Sequence, residues 1–235
     1  MVNLNGNIQE SEQSIQFNNR GLNYGDAVFE TIKVLGRKIC FWEDHYFRLM
    51  ASMRILRMEI PMEFTPEFLE SEILKTLDES SSDNNASFRV KLLVWRKAGG
   101  TYGPVTNNVE YLITFETLET PLYLLDLSAY EVELFKDHFV IPGLLSTLKT
   151  NNRLINVLGS IYAEENDYQN CLLLNENKQV VEALNGNLFL VKGNTIKTPP
   201  ISQGCINGVL RKQLISILKA FPEYTFEEGV ISPFE

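Results

Sequence analysis

Ser146-Thr147-Leu148-Lys149-Thr150-Asn151-Asn152-Arg153-Leu154-Ile155-Asn156-Val157-Leu158-Gly159 is the stretch on which the chain's architecture turns. Gly143 interrupts what precedes it, and Leu154, Ile155, Leu158, Ile161 and Tyr162 follow at helical spacing. The spacing predicts a loop that becomes a helix running to about Glu165, with Lys149 near its N-terminus. Unpaired amides at that position carry partial positive charge and disfavour an ammonium, so the lysine is expected to be easily neutralised. A neutral lysine can attack a carbonyl carbon. Taken alone, a solvated lysine on a first helical turn is the plainer account, so the flanking sequence has to decide.

Upstream, Val2-Asn3-Leu4, the turn pair Asn5-Gly6, and Ile8 onward to Ile15 and Phe17 predict a hairpin over residues 2–17. Gly21 and Gly25 precede a β-rich run, Val28 to Ile32, and Gly36-Arg37 turns into Ile39-Cys40-Phe41, which together predict a small antiparallel sheet. A helix is expected from Glu43 to about Met58, served at its N-terminus by Asp44 and ended by Pro61. A second helix is expected from Thr65, with Pro66 at its first position. Residues 78–85 are polar loop. Strands Ser87–Arg96 and Val109–Phe115 follow; alternation puts Arg89, Lys91, Leu93 and Trp95 on one face and Phe88, Val90, Leu92 and Val94 on the other. Two cations on an otherwise apolar face suggest an anion site, and two solvated charges at a sheet edge are an equal alternative.

Residues 116–122 carry charges and Pro121 and are taken as the link between two domains, 1–117 and 118–235. Beyond the link, strands at 129–135 and 138–141 lead into the lysine helix. A β-meander is expected over Cys171–Leu174, Val180–Leu184, Asn187–Val191 and Ile196. Thr198-Pro199-Pro200 then passes Gly204 and Gly208 into a helix with Val209, Leu210, Leu214, Ile217 and Leu218. A glycine-punctuated helix entry is able to cradle a phosphate, because its amides point outward.

The 235 residues suffice for a full core, and 44% apolar with 22% charged residues is the composition of an ordinary globular protein. The formal net charge of −9 argues against broad nucleic-acid binding. Cys40, Cys171 and Cys205 form no paired motif, and His45 and His138 fit no metal-ligand spacing, so reduced thiols and no metal centre are expected. No apolar run approaches the ~20 residues that span a bilayer, and the polar start lacks the pattern of a signal peptide. A cytoplasmic location is expected.

Six landmarks then fall into one order: Arg20-Gly21-Leu22-Asn23-Tyr24-Gly25-Asp26, Val28-Phe29-Glu30-Thr31, His45-x-x-Arg48-Leu49, Lys149 with Asn152-Arg153-Leu154, Val181-Glu182-Ala183 with Asn187-Leu188-Phe189, and Thr198-Pro199-Pro200 to Gly208-Val209-Leu210-Arg211. In this order the chain resembles the class IV aminotransferases, the fold type IV pyridoxal-phosphate enzymes that include branched-chain aminotransferases, D-amino-acid aminotransferases and aminodeoxychorismate lyases. The resemblance implies an α/β (α+β) protein of two domains, a small N-terminal α/β domain and a β-rich C-terminal cofactor domain, with pyridoxal 5′-phosphate in the cleft between them.

It further implies that Lys149 forms the Schiff base and shuttles the proton, and that Glu182 pairs with the pyridine nitrogen. Arg48 would bind the phosphate with the amides of Gly208, Val209 and Leu210. Tyr24, Phe29, Thr31, Arg89 and Lys91 match the substrate side. The substrates implied are small molecules, an amino acid and a 2-oxo acid, and the assembly a homodimer. Branched-chain aminotransferases carry a tyrosine and a threonine where this chain has Leu154 and Leu210, and the Lys-x-x-Asn-Arg-Leu pattern looks closer to the lyases. The lyase-like Gly-Arg-Gly-Tyr is only partly matched by Gly100-Thr101-Tyr102-Gly103. Transamination, elimination from aminodeoxychorismate, and an inactive cofactor-binding remnant all stay open. The last is motivated by relatives that run several strands past the equivalent of Pro233, so that the chain is expected to be shortened at its C-terminus.

Overall fold

The computed structural model describes residues 1–235 apart from 11–15, 81, 82, 84, 125 and 126. The chain divides into two units: Met1–Leu125 with Lys149–Asn152, and Asp126–Leu148 with Arg153–Glu235.

In the first unit, β1 (Val2–Leu4) and β2 (Asn7–Gln9) make the expected hairpin. Asn5 and Gly6 both take positive φ, 51° and 86°, as a two-residue type I′ turn requires. Pairing stops at Gln9. Phe17 stands exposed in a turn, and Ile15 lies outside the described residues, as do three positions of the polar 78–85 segment. A short helix follows, α1 (Arg20–Tyr24), capped by the Asn19 side chain, which accepts from the Leu22 amide at 3.0 Å.

Next come β3 (Ala27–Leu35), β4 (Lys38–Ile39), α2 (Trp42–Ile55), α3 (Pro66–Asp78), β5 (Ser87–Arg96) and β6 (Val109–Leu118). The six strands form one antiparallel sheet, in the order β2-β1-β6-β5-β3-β4. The period-two reading of β5 holds: Phe88, Val90, Leu92 and Val94 are buried, whereas Arg89 and Lys91 are exposed. That buried face, with Val28, Ile32 and Val34 of β3, packs on Leu49 and Met53 of α2 and Leu69, Ile73 and Leu77 of α3. Each such side chain contributes about 1.5–3 kcal/mol by leaving water.

Three local expectations are corrected. Asp44 lies inside the first turn of α2, where a carboxylate meets the helix dipole, and Phe41 at φ 54° is the cap. The same helix stops at Ile55 because Arg57 turns left-handed at φ 56°, well before Pro61. Glu116, Thr117 and Leu118 are not linker: they complete the β5–β6 ladder opposite Arg89, Phe88 and Ser87. Their charges mark the outer face of a strand.

The second unit contains β7 (Val132–Val140), α4 (Leu154–Glu165), β8 (Asn170–Asn175), β9 (Val180–Ala183), β10 (Leu190–Lys192), β11 (Thr195–Thr198), α5 (Val209–Leu218) and β12 (Thr225–Glu228). The expected meander is replaced by two three-stranded sheets, β7-β8-β9 and β10-β11-β12. Each holds a parallel pair, β7 with β8 and β11 with β12, because a helix, α4 or α5, connects the two strands and returns the chain in the same direction. The two strands expected before the helix are one, β7, with a register shift between Phe135 and Val140. Phe135, Ala163, Cys171, Leu173, Val181 and Cys205 form the core of this unit.

Candidate active site

The seat of Lys149 is the first departure from expectation. Helix α4 starts at Leu154 with Arg153 as its N-cap, so Lys149 is not on the first turn and the dipole argument does not reach it. Its backbone is instead laid against β3: the Phe29 amide donates to the Lys149 carbonyl at 2.8 Å and the Asn151 amide to the Ala27 carbonyl at 3.1 Å, around an antiparallel bridge between Val28 and Thr150. The Asn152 side chain donates to the Gly25 carbonyl at 3.2 Å. Gly25 is needed twice, for φ 63° and because a Cβ there would stand 2.3 Å from Asn152 Oδ1.

From this seat the Lys149 amine lies 4.4 Å from the centre of the Phe29 ring, and the Lys91 amine 4.8 Å from the same ring. Lys91 is directly opposite Thr31 in the β3–β5 ladder. Phe29, Thr31, Lys91 and Lys149 are therefore brought together on the solvent face of the sheet. Arg89 is drawn aside, paired with Glu116 at 3.0 Å with both side chains exposed. Tyr24 stands against a different support: its ring covers the Arg20 guanidinium at 4.8 Å and faces Tyr102 at 5.9 Å. Arg20 and Arg96 share Asp26 Oδ2, each at 2.9 Å, and Arg20 also donates to the carbonyls of Gly99 and Thr101. This fixes the glycine-rich loop beside Tyr24.

Arg48 is held by a residue that received no role from the sequence. Its Nε donates to Glu30 Oε1 at 2.8 Å and Nη2 to Glu30 Oε2 at 2.5 Å, while His45 Nδ1 lies 2.8 Å from that second oxygen. Glu30 is 1% exposed. Burial alone would push its carboxyl up, but the hydrogen bonds from Arg48 and His45 outweigh burial and hold it below the usual glutamate value. The signal was present in the pattern: Glu30 alternates with Val28 and Ile32 on the core side of β3, and a buried glutamate needs a cation, which His45 and Arg48, three apart on α2, supply.

The second unit carries the remaining candidates. Glu182 on β9 is 5% exposed and accepts from the Ile206 amide at 2.9 Å through Oε2. Asn187 donates to the Ile206 carbonyl at 2.8 Å. Gly208 caps α5 with no side-chain bond to its first turn, so the amides of Val209 and Leu210 have neither an intrahelical acceptor nor a cap. A Cβ at 208 would meet Asn187 Oδ1 at 2.0 Å; only glycine leaves this entry bare. An acid fixed by backbone and a bare ten-residue helix start are donors and acceptors suited to a pyridine ring and a phosphate. Cys205 beside them is inert at neutral pH, since burial and then the charge of Glu182 push its thiol up to about 11. Among the described residues no cluster could hold a metal.

A six-stranded antiparallel sheet that packs on α2 and α3 and seats the Lys149 segment against β3, together with a unit of two three-stranded sheets bearing a buried acid and a bare helix entry, defines the class of the fold type IV pyridoxal-phosphate enzymes. The branched-chain aminotransferase of Thermoproteus uzoniensis, solved with norvaline, shares the fold with a TM-score of 0.86 over 100% of this chain and 79% of its own, at 21% identity. Residues 27–235 match the family model for amino-transferase class IV, and the chain belongs to that family. It is 27% identical over 230 residues to a putative branched-chain-amino-acid aminotransferase of Methanocaldococcus jannaschii, covering 97% of this chain and 76% of the relative. It is likewise 27% identical over 210 residues to an aminodeoxychorismate lyase of Vibrio harveyi, covering 88% and 74%. Class IV aminotransferases are pyridoxal 5′-phosphate enzymes, and this chain is an enzyme of that class.

Proposed function

We propose that the protein is a transaminase that passes an amino group between an amino acid and a 2-oxo acid. In this reading Lys149 holds the cofactor's aldehyde at rest and moves the proton at the substrate α-carbon during turnover. Pyridoxal 5′-phosphate, when bound, supplies the electron-accepting ring that makes that proton acidic. Glu182 is assigned to the pyridine nitrogen. Arg48 and the amides at Gly208, Val209 and Leu210 are assigned to the phosphate, with Glu30 keeping the guanidinium oriented. Tyr24, Phe29, Thr31 and Lys91 take the substrate side, and Arg89 an outer, Glu116-paired position on it.

The observation that carries the reading is the seat of Lys149, whose backbone is bonded to β3 on both sides of the Val28–Thr150 bridge. An amine so placed returns to one point above Phe29 after each displacement. Lys149→Ala is expected to abolish covalent attachment of pyridoxal 5′-phosphate, read by mass after borohydride reduction, and to lower amino transfer by more than about 100-fold. A purified protein that takes up no cofactor and is indifferent to Lys149→Ala would overturn the enzymatic reading in favour of a remnant.

A second reaction, elimination from aminodeoxychorismate to 4-aminobenzoate and pyruvate, uses the same lysine. It is favoured by the likeness to the Vibrio lyase and by Leu154 and Leu210. Pyruvate release without any amino acceptor selects elimination; transfer to a 2-oxo acid selects transamination. We take the working form to be a homodimer of two-domain chains in the cytoplasm. No helix among the described residues is long and apolar enough to cross a membrane, and sedimentation gives the assembly state.

A further inference from the structure

We infer that Asn152 and Arg153 are positioning residues for Lys149, one tying the end of a four-residue excursion to Gly25 and the other closing its base on Leu148; the inference rests on the Lys149 reading above. The chain leaves the second unit after Leu148 and rejoins it at Arg153, while Lys149–Asn152 belong to the first. At the base of this excursion the Arg153 guanidinium donates to the Leu148 carbonyl at 2.5 Å, joining the residues on either side of it. At its last residue the Asn152 side chain reaches the Gly25 carbonyl at 3.2 Å, and the Asn152 amide donates to Thr150 Oγ1 at 3.3 Å.

Between these two fasteners lie only the paired residues of the β3 bridge, so the path of the lysine backbone is set at both ends. The two fasteners add to the backbone bonds from Phe29 to Lys149 and from Asn151 to Ala27 in holding a short loop against its own conformational freedom. The run Lys149-x-x-Asn152-Arg153 thereby gains a physical meaning: the residues three and four after the lysine fix where its amine is delivered. Neither is a catalytic residue, since each acts on backbone.

The test mixes the apoprotein with pyridoxal 5′-phosphate, quenches with borohydride at intervals and follows attachment at Lys149 by mass. In parallel, affinity is measured for pyridoxamine 5′-phosphate, which has the same ring and phosphate but no aldehyde. Asn152→Ala and Arg153→Met are each expected to slow attachment by roughly three- to tenfold, the worth of one hydrogen bond, and to leave pyridoxamine phosphate affinity within about twofold. Asn152 is exposed, so its truncation leaves the fold intact even if Arg153→Met disturbs the start of α4. Unchanged attachment in Asn152→Ala, or a parallel loss of both readouts, overturns the inference while the Lys149 reading stands. Absence of attachment in the unaltered protein removes that reading and the inference with it.

Discussion

Glu30 sits in the middle of β3 with its carboxylate turned into the core, 1% exposed, and is tolerated there because Arg48 and His45 meet it. Removing the acid alone would leave a largely buried guanidinium without its counter-charge, which costs about 3 kcal/mol or more. Glu30→Gln is therefore expected to lower stability by about that amount in urea unfolding. The acid limb should change as well. A carboxyl whose folded pKa lies below its unfolded value contributes stability that is complete above the ordinary glutamate range, about 4.3, and that drains away as pH falls through the folded value. The unaltered protein should lose stability on acidification in that window, and Glu30→Gln should show a flatter limb there. An unchanged limb would mean that other carboxylates dominate. Glu30 also shows what sequence alone conceals: it received no role there, and only the contact with α2 shows which cations answer its charge.

At the scale of elements, local chemistry was the most legible. The helix expected from Thr65 with Pro66 at its first position is present as α3, and Thr65 caps it, accepting from the Phe68 amide at 3.1 Å. Thr65→Ala should cost about 1 kcal/mol, and a Tm unmoved by this change would show that the α3 start is held by packing alone. Strand β5 was legible for a related reason, because the two-residue period is written into each side chain. The start of α4 was not. The apolar spacing from Leu154 was read correctly, but the preceding residues are claimed by β3 backbone, a partner more than a hundred positions away that leaves no periodic trace. The β-meander failed likewise, since strand partners in the second unit depend on helices α4 and α5 returning the chain parallel. Glu116 to Leu118 misled because charge on an outer strand face looks like charge in a linker.

For the molecule as a whole, the family landmarks found the candidate residues, and the structure sorted them into groups within each unit: Lys149 with Phe29, Thr31 and Lys91; Arg48 with Glu30; Glu182 with the entry to α5. Spacing could not yield that sorting, because it depends on which sheet each strand joins. Both tryptophans, Trp42 and Trp95, lie in the first unit, so indole emission follows the melting of that half alone. The lysine backbone is paired with β3. On slow heating, loss of the native indole signal should thus take with it the ability to capture an aldehyde, because the β3 seat of the lysine melts with that unit. Capture that outlives the native indole signal would show that the amine does not depend on β3.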